Sequence, residues 1–174
     1  MIAPWLRSTK LLLAIGFIAI LAVTACPIVL YQVRMRQFRS VQSVVEQCGG
    51  SLSLDLQGDY TLSLDGLDDS QIDAVMPALR SLPTGFTFIG PGEGRHFYVS
   101  LQNSALSEDR LTKVCLLPLS AITIANCPAL TDDSLSHLRA IRNRFANINL
   151  DKSFSMEAIR QLAEEFPNTD VPTE

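Results

Sequence analysis

Ile122-Thr123-Ile124-Ala125-Asn126-Cys127-Pro128-Ala129-Leu130-Thr131-Asp132-Asp133-Ser134-Leu135-Ser136-His137-Leu138 is the stretch on which the reading of this 174-residue chain turns. Ile122 and Ile124 alternate with small or polar neighbours, as a half-buried strand does. Asn126, Cys127 and Pro128 end that alternation. Thr131, Asp132 and Asp133 then place side-chain oxygens where the start of a helix leaves backbone N–H groups unpaired. Leu135, Leu138 and Ile141 follow as the apolar positions of that helix, and His137 falls on its solvent side.

The same order of strand, loop, polar cap and short helix recurs on both sides. Leu62 and Leu64 lead through Leu67 and Asp68-Asp69 to Ile72, Val75, Met76 and Leu79. Val99 and Leu101 lead through Leu106 and Ser107 to Leu111, Val114 and Leu117, and Ile148 and Leu150 lead through Phe154 and Ser155 to Ile159, Leu162 and Phe166. Successive units are 37, 23 and 26 residues apart, counted from Leu64 to Leu101, Ile124 and Leu150, so the first interval carries an insertion, residues 83–97. Ahead of the units, Leu52, Leu54 and Leu56 alternate with Ser51, Ser53 and Asp55, and after Gln57-Gly58-Asp59 the alternation resumes at Tyr60, which predicts two strands around a turn. Phe38, Val41, Val45 and Cys48 recur at helical spacing until Gly49-Gly50 stops them.

The 122–138 stretch resembles the leucine-rich-repeat family, especially its cysteine-containing subtype. The resemblance implies a solenoid core lined by Ile122, Ile124, Leu130, Leu135 and Leu138, with Asn126 bonding loop backbone between coils and Thr131 and Asp132 opening a helix. The other units share its pattern without the Asn126-Cys127 pair. The whole layout is also similar to a group of short bacterial proteins with one N-terminal membrane helix, a basic segment beside it, a helix ending in Gly-Gly and degenerate leucine-rich repeats. That group supplies an architecture and no reaction.

Leu11 to Leu30 is a run of 20 residues without a charge, long enough at about 1.5 Å per residue to cross the roughly 30 Å hydrocarbon core of a bilayer. Arg7 and Lys10 precede it, Arg34, Arg36 and Arg39 follow it, and Trp5 and Tyr31 stand where interfacial aromatics would. With bases on both sides, orientation stays open. A second reading of the same residues is a cleaved signal, because Val23-Thr24-Ala25-Cys26 resembles the lipobox of bacterial lipoproteins, in which the cysteine is lipidated.

The expected fold class is therefore α/β, with an N-terminal transmembrane helix followed by a short, incomplete leucine-rich-repeat-like solenoid of strand–loop–helix units. The expected segments are a basic tail (1–10), a transmembrane helix (11–31), an amphipathic helix (32–50) and the repeat domain (51–174), in a single-pass membrane protein.

Charge bounds the function. Residues 1–39 hold five bases and no acid, so residues 40–174 carry 14 minus 5, or nine, bases against all 18 acids, a net charge of −9. Nucleic acid requires a clustered basic face, which this part lacks. No catalytic constellation, cofactor fingerprint or metal-ligand spacing is evident. Asp68-Asp69 and Asp132-Asp133 stand at helix starts and read as caps. Cys48, Cys115 and Cys127 read as small buried hydrophobes, His96 and His137 have no neighbouring His or Cys, and Gly90-Pro91-Gly92-Glu93-Gly94 lacks the lysine of a phosphate loop. The expected role is a non-enzymatic, membrane-anchored protein-interaction or scaffolding module without cofactor or metal, favouring a basic protein partner. Its partner surface is the outward strand positions Ser63, Asp65, Ser100, Gln102, Thr123, Ala125, Asn149 and Asp151. The alternatives are a membrane-bound hydrolase or sensor using Glu93, Arg95 and His96 of the insertion, and a lipoprotein component of the cell envelope.

Overall fold

The computed structural model describes residues 4–55, 58–82 and 96–170, and within the first helix it describes the side chains of residues 15–17 and 28–47. The chain forms two compact units, Met1–Phe38 and Arg39–Glu174. Helix α1 (Pro4–Gln47) begins on a proline, whose missing N–H costs nothing in a first turn, and continues unbroken past residues 10 and 31, where tail, span and amphipathic helix were expected to divide.

The membrane-spanning helix expected over residues 11–31 is corrected by the structure. Among the described residues, no helix is long and apolar enough to cross a membrane. Within the described side chains the reason is charge; those of residues 11–14 and 18–27 lie outside them. The longest continuous run of described side chains in α1 is 28–47, and any bilayer-length stretch of it, about 20 residues, includes Arg34, Arg36 and Arg39. A single-pass membrane protein, and membrane contact through residues 11–31, are therefore not supported. The lipoprotein alternative rests on Cys26, whose side chain lies outside the described residues.

The second unit is built on one six-stranded mixed sheet in the order β1-β2-β3-β4-β5-β6. β1 (Ser51–Leu54) and β2 (Tyr60–Ser63) pair antiparallel, with Leu52 opposite Leu62. β3 (Phe97–Gln102), β4 (Leu119–Ala125), β5 (Asn147–Leu150) and β6 (Thr169–Asp170) then add in sequence, each parallel to the one before. Parallel neighbours need a crossover. Those crossovers contain α2 (Asp69–Arg80), α3 (Glu108–Cys115), a 3₁₀ helix (Asp132–Ala140) and α4 (Met156–Glu165).

A parallel sheet covered on both faces has continuous apolar strands; these strands alternate, and among the described residues one face alone is covered. Leu62, Val99, Ile122 and Ile148 stand in register on the covered face and are buried, as are Leu101, Ile124 and Leu150 one step further along. Tyr60 and Phe97 stack at 5.1 Å between centroids. The helices complete the core with Ile72, Val75, Met76 and Leu79, with Leu111, Val114 and Cys115, and with Leu135, Leu138, Ile159 and Leu162. Val41 and Val45 are buried as well.

The leucine-rich-repeat solenoid is also corrected; what stands is an α/β unit with a mixed sheet. A solenoid stacks equivalent coils at constant register. Here the first strand enters antiparallel, the β3–β4 register shifts at Phe97/Tyr98, three crossovers carry α-helices of twelve, eight and ten residues, and the fourth carries a 3₁₀ helix. Of the insertion expected at 83–97, residues 83–95 lie outside the described set, while Phe97 opens β3.

Candidate functional site

The uncovered face of the sheet carries the residues expected to meet a partner. Ser63, Ser100, Thr123, Asn149 and Asp170 are consecutive register partners across five strands, a row of roughly 19 Å at about 4.8 Å per strand. A second row, Thr61, Tyr98, Ala121 and Asn147, lies two residues earlier along each strand. No strand position on this face is a lysine or arginine. Hydroxyl, amide and carboxylate groups dominate it.

Ser63, Asp65, Ser100 and Gln102 form one network. Asp65 Oδ1 accepts from Ser100 Oγ and from the Gln102 N–H, each at 2.8 Å, and Oδ2 accepts from Ser63 Oγ at 2.8 Å. Asn149 Nδ2 donates to Thr123 Oγ1 at 3.4 Å, and Asp151 accepts from the Asn126 N–H at 2.6 Å and from the Ser153 N–H at 3.0 Å. Burial pushes the Asp151 carboxyl up, but the Ser153 and Asn126 donors outweigh it and hold the group below the usual carboxylate range. Asp65 and Asp151 thus tie the strand ends of neighbouring crossovers together and are not free ligand groups. Asn149 is exposed, and Thr123, Ser100 and Ala125 are half-buried.

Thr61, Ala121, Asn147 and Asp170 on this face are absent from the sequence expectation, as are Tyr98 and Asn103. Tyr98 is 40% exposed and sits two places before Ser100 on the same side of β3. Its signal was the alternation Tyr98, Ser100, Gln102, which begins directly after the span assigned to the insertion, 83–97. Asn103 accepts a hydrogen bond from the Asn126 side-chain amide, and both asparagines adopt positive φ, 54° and 51°. They stand two places after Leu101 and Ile124, a matching offset visible in the sequence, at turns that asparagine tolerates.

The acidic helix starts do cap, and they also link crossovers. Asp68 accepts from the Gln71 N–H at 2.9 Å while Gln71 Oε1 accepts from the Asp68 N–H at 2.8 Å, a capping box. Asp69 accepts from the Ser107 N–H at 2.7 Å, Glu108 from Ser134 Oγ at 2.7 Å and Asp132 from the Ser155 N–H at 2.9 Å, so an acid in the first turn of each helix holds the start of the next. Asp73 binds both Lys113 and Arg110 at 2.6 Å, and Lys113 first, then Arg110, hold its carboxyl below the usual range.

One hydroxyl, imidazole and carboxylate group comes together. His137 Nδ1 lies 2.8 Å from Thr112 Oγ1, and His137 Nε2 lies 3.4 Å from Glu108 Oε2. The Thr112 hydroxyl, however, donates back to the Glu108 carbonyl at 3.1 Å, as threonine does inside helices. Its one proton is then spent, His137 Nδ1–H donates to it, and the order is the reverse of a base activating a nucleophile. The group clamps α3 to the 3₁₀ helix.

Burial alone pushes the Cys115 thiol up to about 12, and Cys127 Sγ donates to the Leu101 carbonyl at 3.4 Å, so both behave as buried hydrophobes rather than nucleophiles. Among the described residues, no group of three or more His, Cys, Asp or Glu is placed to hold a metal ion. Glu93 and Arg95 of the alternative site lie outside the described residues; His96 is half-buried, and its carbonyl accepts the Tyr60 N–H at 2.9 Å. Compared with known proteins, the chain matches no family model, no curated protein and no solved structure.

Proposed function

We propose that the Arg39–Glu174 unit is a non-catalytic protein-interaction module that binds a basic partner on the uncovered face of its sheet. The observation that carries this reading is the row Ser63, Ser100, Thr123, Asn149 and Asp170, continuous across five strands and without a single cation, in a unit whose 10 bases against 18 acids give a net charge of −8. Hydroxyls and amides in a row suit the backbone and side chains of an extended segment. Tyr98 adds the kind of aromatic anchor on which interfaces concentrate their energy. The acidic field raises the association rate of a basic partner and makes it salt-sensitive.

Photo-crosslinking side chains placed singly at Ser100, Thr123 and Asn149, and at exposed Arg160 on α4 as a control, test the reading in the native cell. The three sheet-face positions are expected to capture the same protein and Arg160 to miss it. Capture of that protein from Arg160 alone, or of unrelated proteins from each sheet position, contradicts it.

A further inference from the structure

The 3₁₀ helix is nine residues long, whereas such runs seldom exceed three or four. At three residues per turn, side chains three apart stand directly above one another, so Asp133, Ser136 and Arg139 form a straight row. α4 presents Ala158, Gln161, Leu162 and Glu165, a face whose ridges are inclined to the helix axis. A straight row does not interdigitate with inclined ridges, and a cleft of about 280 Å³ remains between the two helices. Leu135 and Leu162, both buried, form its apolar floor.

The charges around this cleft are unevenly committed. Asp132, Asp133 and Glu165 against Arg139 give it a net charge of 1 minus 3, or −2. Asp132 already accepts the Ser155 N–H, and Glu165 holds Arg139 at 2.7 Å with Arg144 at 3.7 Å. Asp133 is exposed and makes no hydrogen bond or ion pair among the described residues. A trough with an apolar floor, polar walls and one uncommitted carboxylate at its mouth matches an aliphatic stem that ends in a cation. Its volume lies at the lower edge of the range of roughly 300–1,000 Å³ for small-molecule sites, room for a side chain rather than a metabolite.

We propose that the cleft between the 3₁₀ helix and α4 is a second binding site, distinct from the sheet face, which takes one arginine or lysine side chain of a protein partner. The stem lies on Leu135, Ala158 and Leu162, and the cation meets Asp133. The negative lining turns away an acidic group, because Arg139 is already neutralised by Glu165.

The test is a methyl NMR titration of the full-length chain with n-butylguanidinium, the arginine side chain alone, and with n-butyrate, which keeps the stem and reverses the charge. Saturable shifts at Leu135 and Leu162 are expected with butylguanidinium at a millimolar Kd, and none with butyrate. Asp133→Asn is expected to weaken binding about fivefold, the upper range for an exposed ion pair. Ala158→Leu, which fills the trough, is expected to abolish it with an unchanged thermal midpoint. Equal shifts from butyrate, shifts spread over the acidic surface, or an Asp133→Asn variant that binds like wild type would overturn the proposal. These readouts involve no sheet-face residue, so the two sites stand or fall separately.

Discussion

Leu138 is fully buried beside Leu135, so Leu138→Ala is expected to cost about 2–5 kcal/mol, read as a lower urea midpoint. His137, one position earlier, was placed on the solvent side by spacing alone; the structure half-buries it between Thr112 and Glu108, and His137→Ala is expected to cost about 1 kcal/mol rather than nothing. Asp65 shows the same limit of sequence reading. Its outward position followed from the period of two around Leu62 and Leu64. Its hydrogen bonds to Ser100 and to Gln102 join residues 35 and 37 apart, a pairing that exists only once β2 and β3 are in register. Asp65→Ala is therefore expected to lower stability by about 1 kcal/mol as well as changing the face, whereas Thr123→Lys is expected to stay within about 0.5 kcal/mol. The Cys115 thiol, pushed up to about 12, is expected to resist a disulfide reagent at pH 8 in the folded protein and react only on unfolding.

At the scale of elements, the helix starts form an acid-linked series. Asp68 (through the Gln71 N–H, then Ser70), Glu108 (through Ser134) and Asp132 (through Ser155) all have carboxyls held below their usual values, as does Asp73 through Lys113 and Arg110. A depressed carboxylate contributes stability above its ordinary value, 3.8 for aspartate and 4.5 for glutamate, and loses that contribution as pH falls through the folded value. Thermal midpoints are thus expected to be flat from pH 7 to about pH 5 and to fall below it, and a midpoint that rises on acidification would contradict this linkage. Strands and helices were legible because Leu62 and Leu64, or Ile72, Val75, Met76 and Leu79, repeat at their own periods. The 3₁₀ geometry was not legible in the sequence: Leu135, Leu138 and Ile141 are spaced strictly by three, but so are Leu111, Val114 and Leu117 of the α3 unit. That period was assigned to an ordinary helix.

For the whole molecule, the unequal spacing of 37, 23 and 26 residues argued against stacked equivalent coils, and the single well-matched unit outweighed it in the resemblance. Ser63, Ser100, Thr123 and Asn149 of the row on the uncovered face were legible as positions and not as a surface, and Asp170 was not legible: Thr123 and Asn149 are 26 residues apart and become neighbours through the β4–β5 register. That row is the centre of the functional account, and a pull-down with the full-length chain tests it most directly. Wild type is compared with a Thr123→Lys, Asn149→Lys double variant at about 50 and 150 mM salt, conditions that straddle the Debye screening of exposed charge. The account predicts a basic partner retained by wild type, more at the lower salt, and lost from the double variant with its thermal midpoint unchanged. Equal retention by both proteins at both salt concentrations would contradict it.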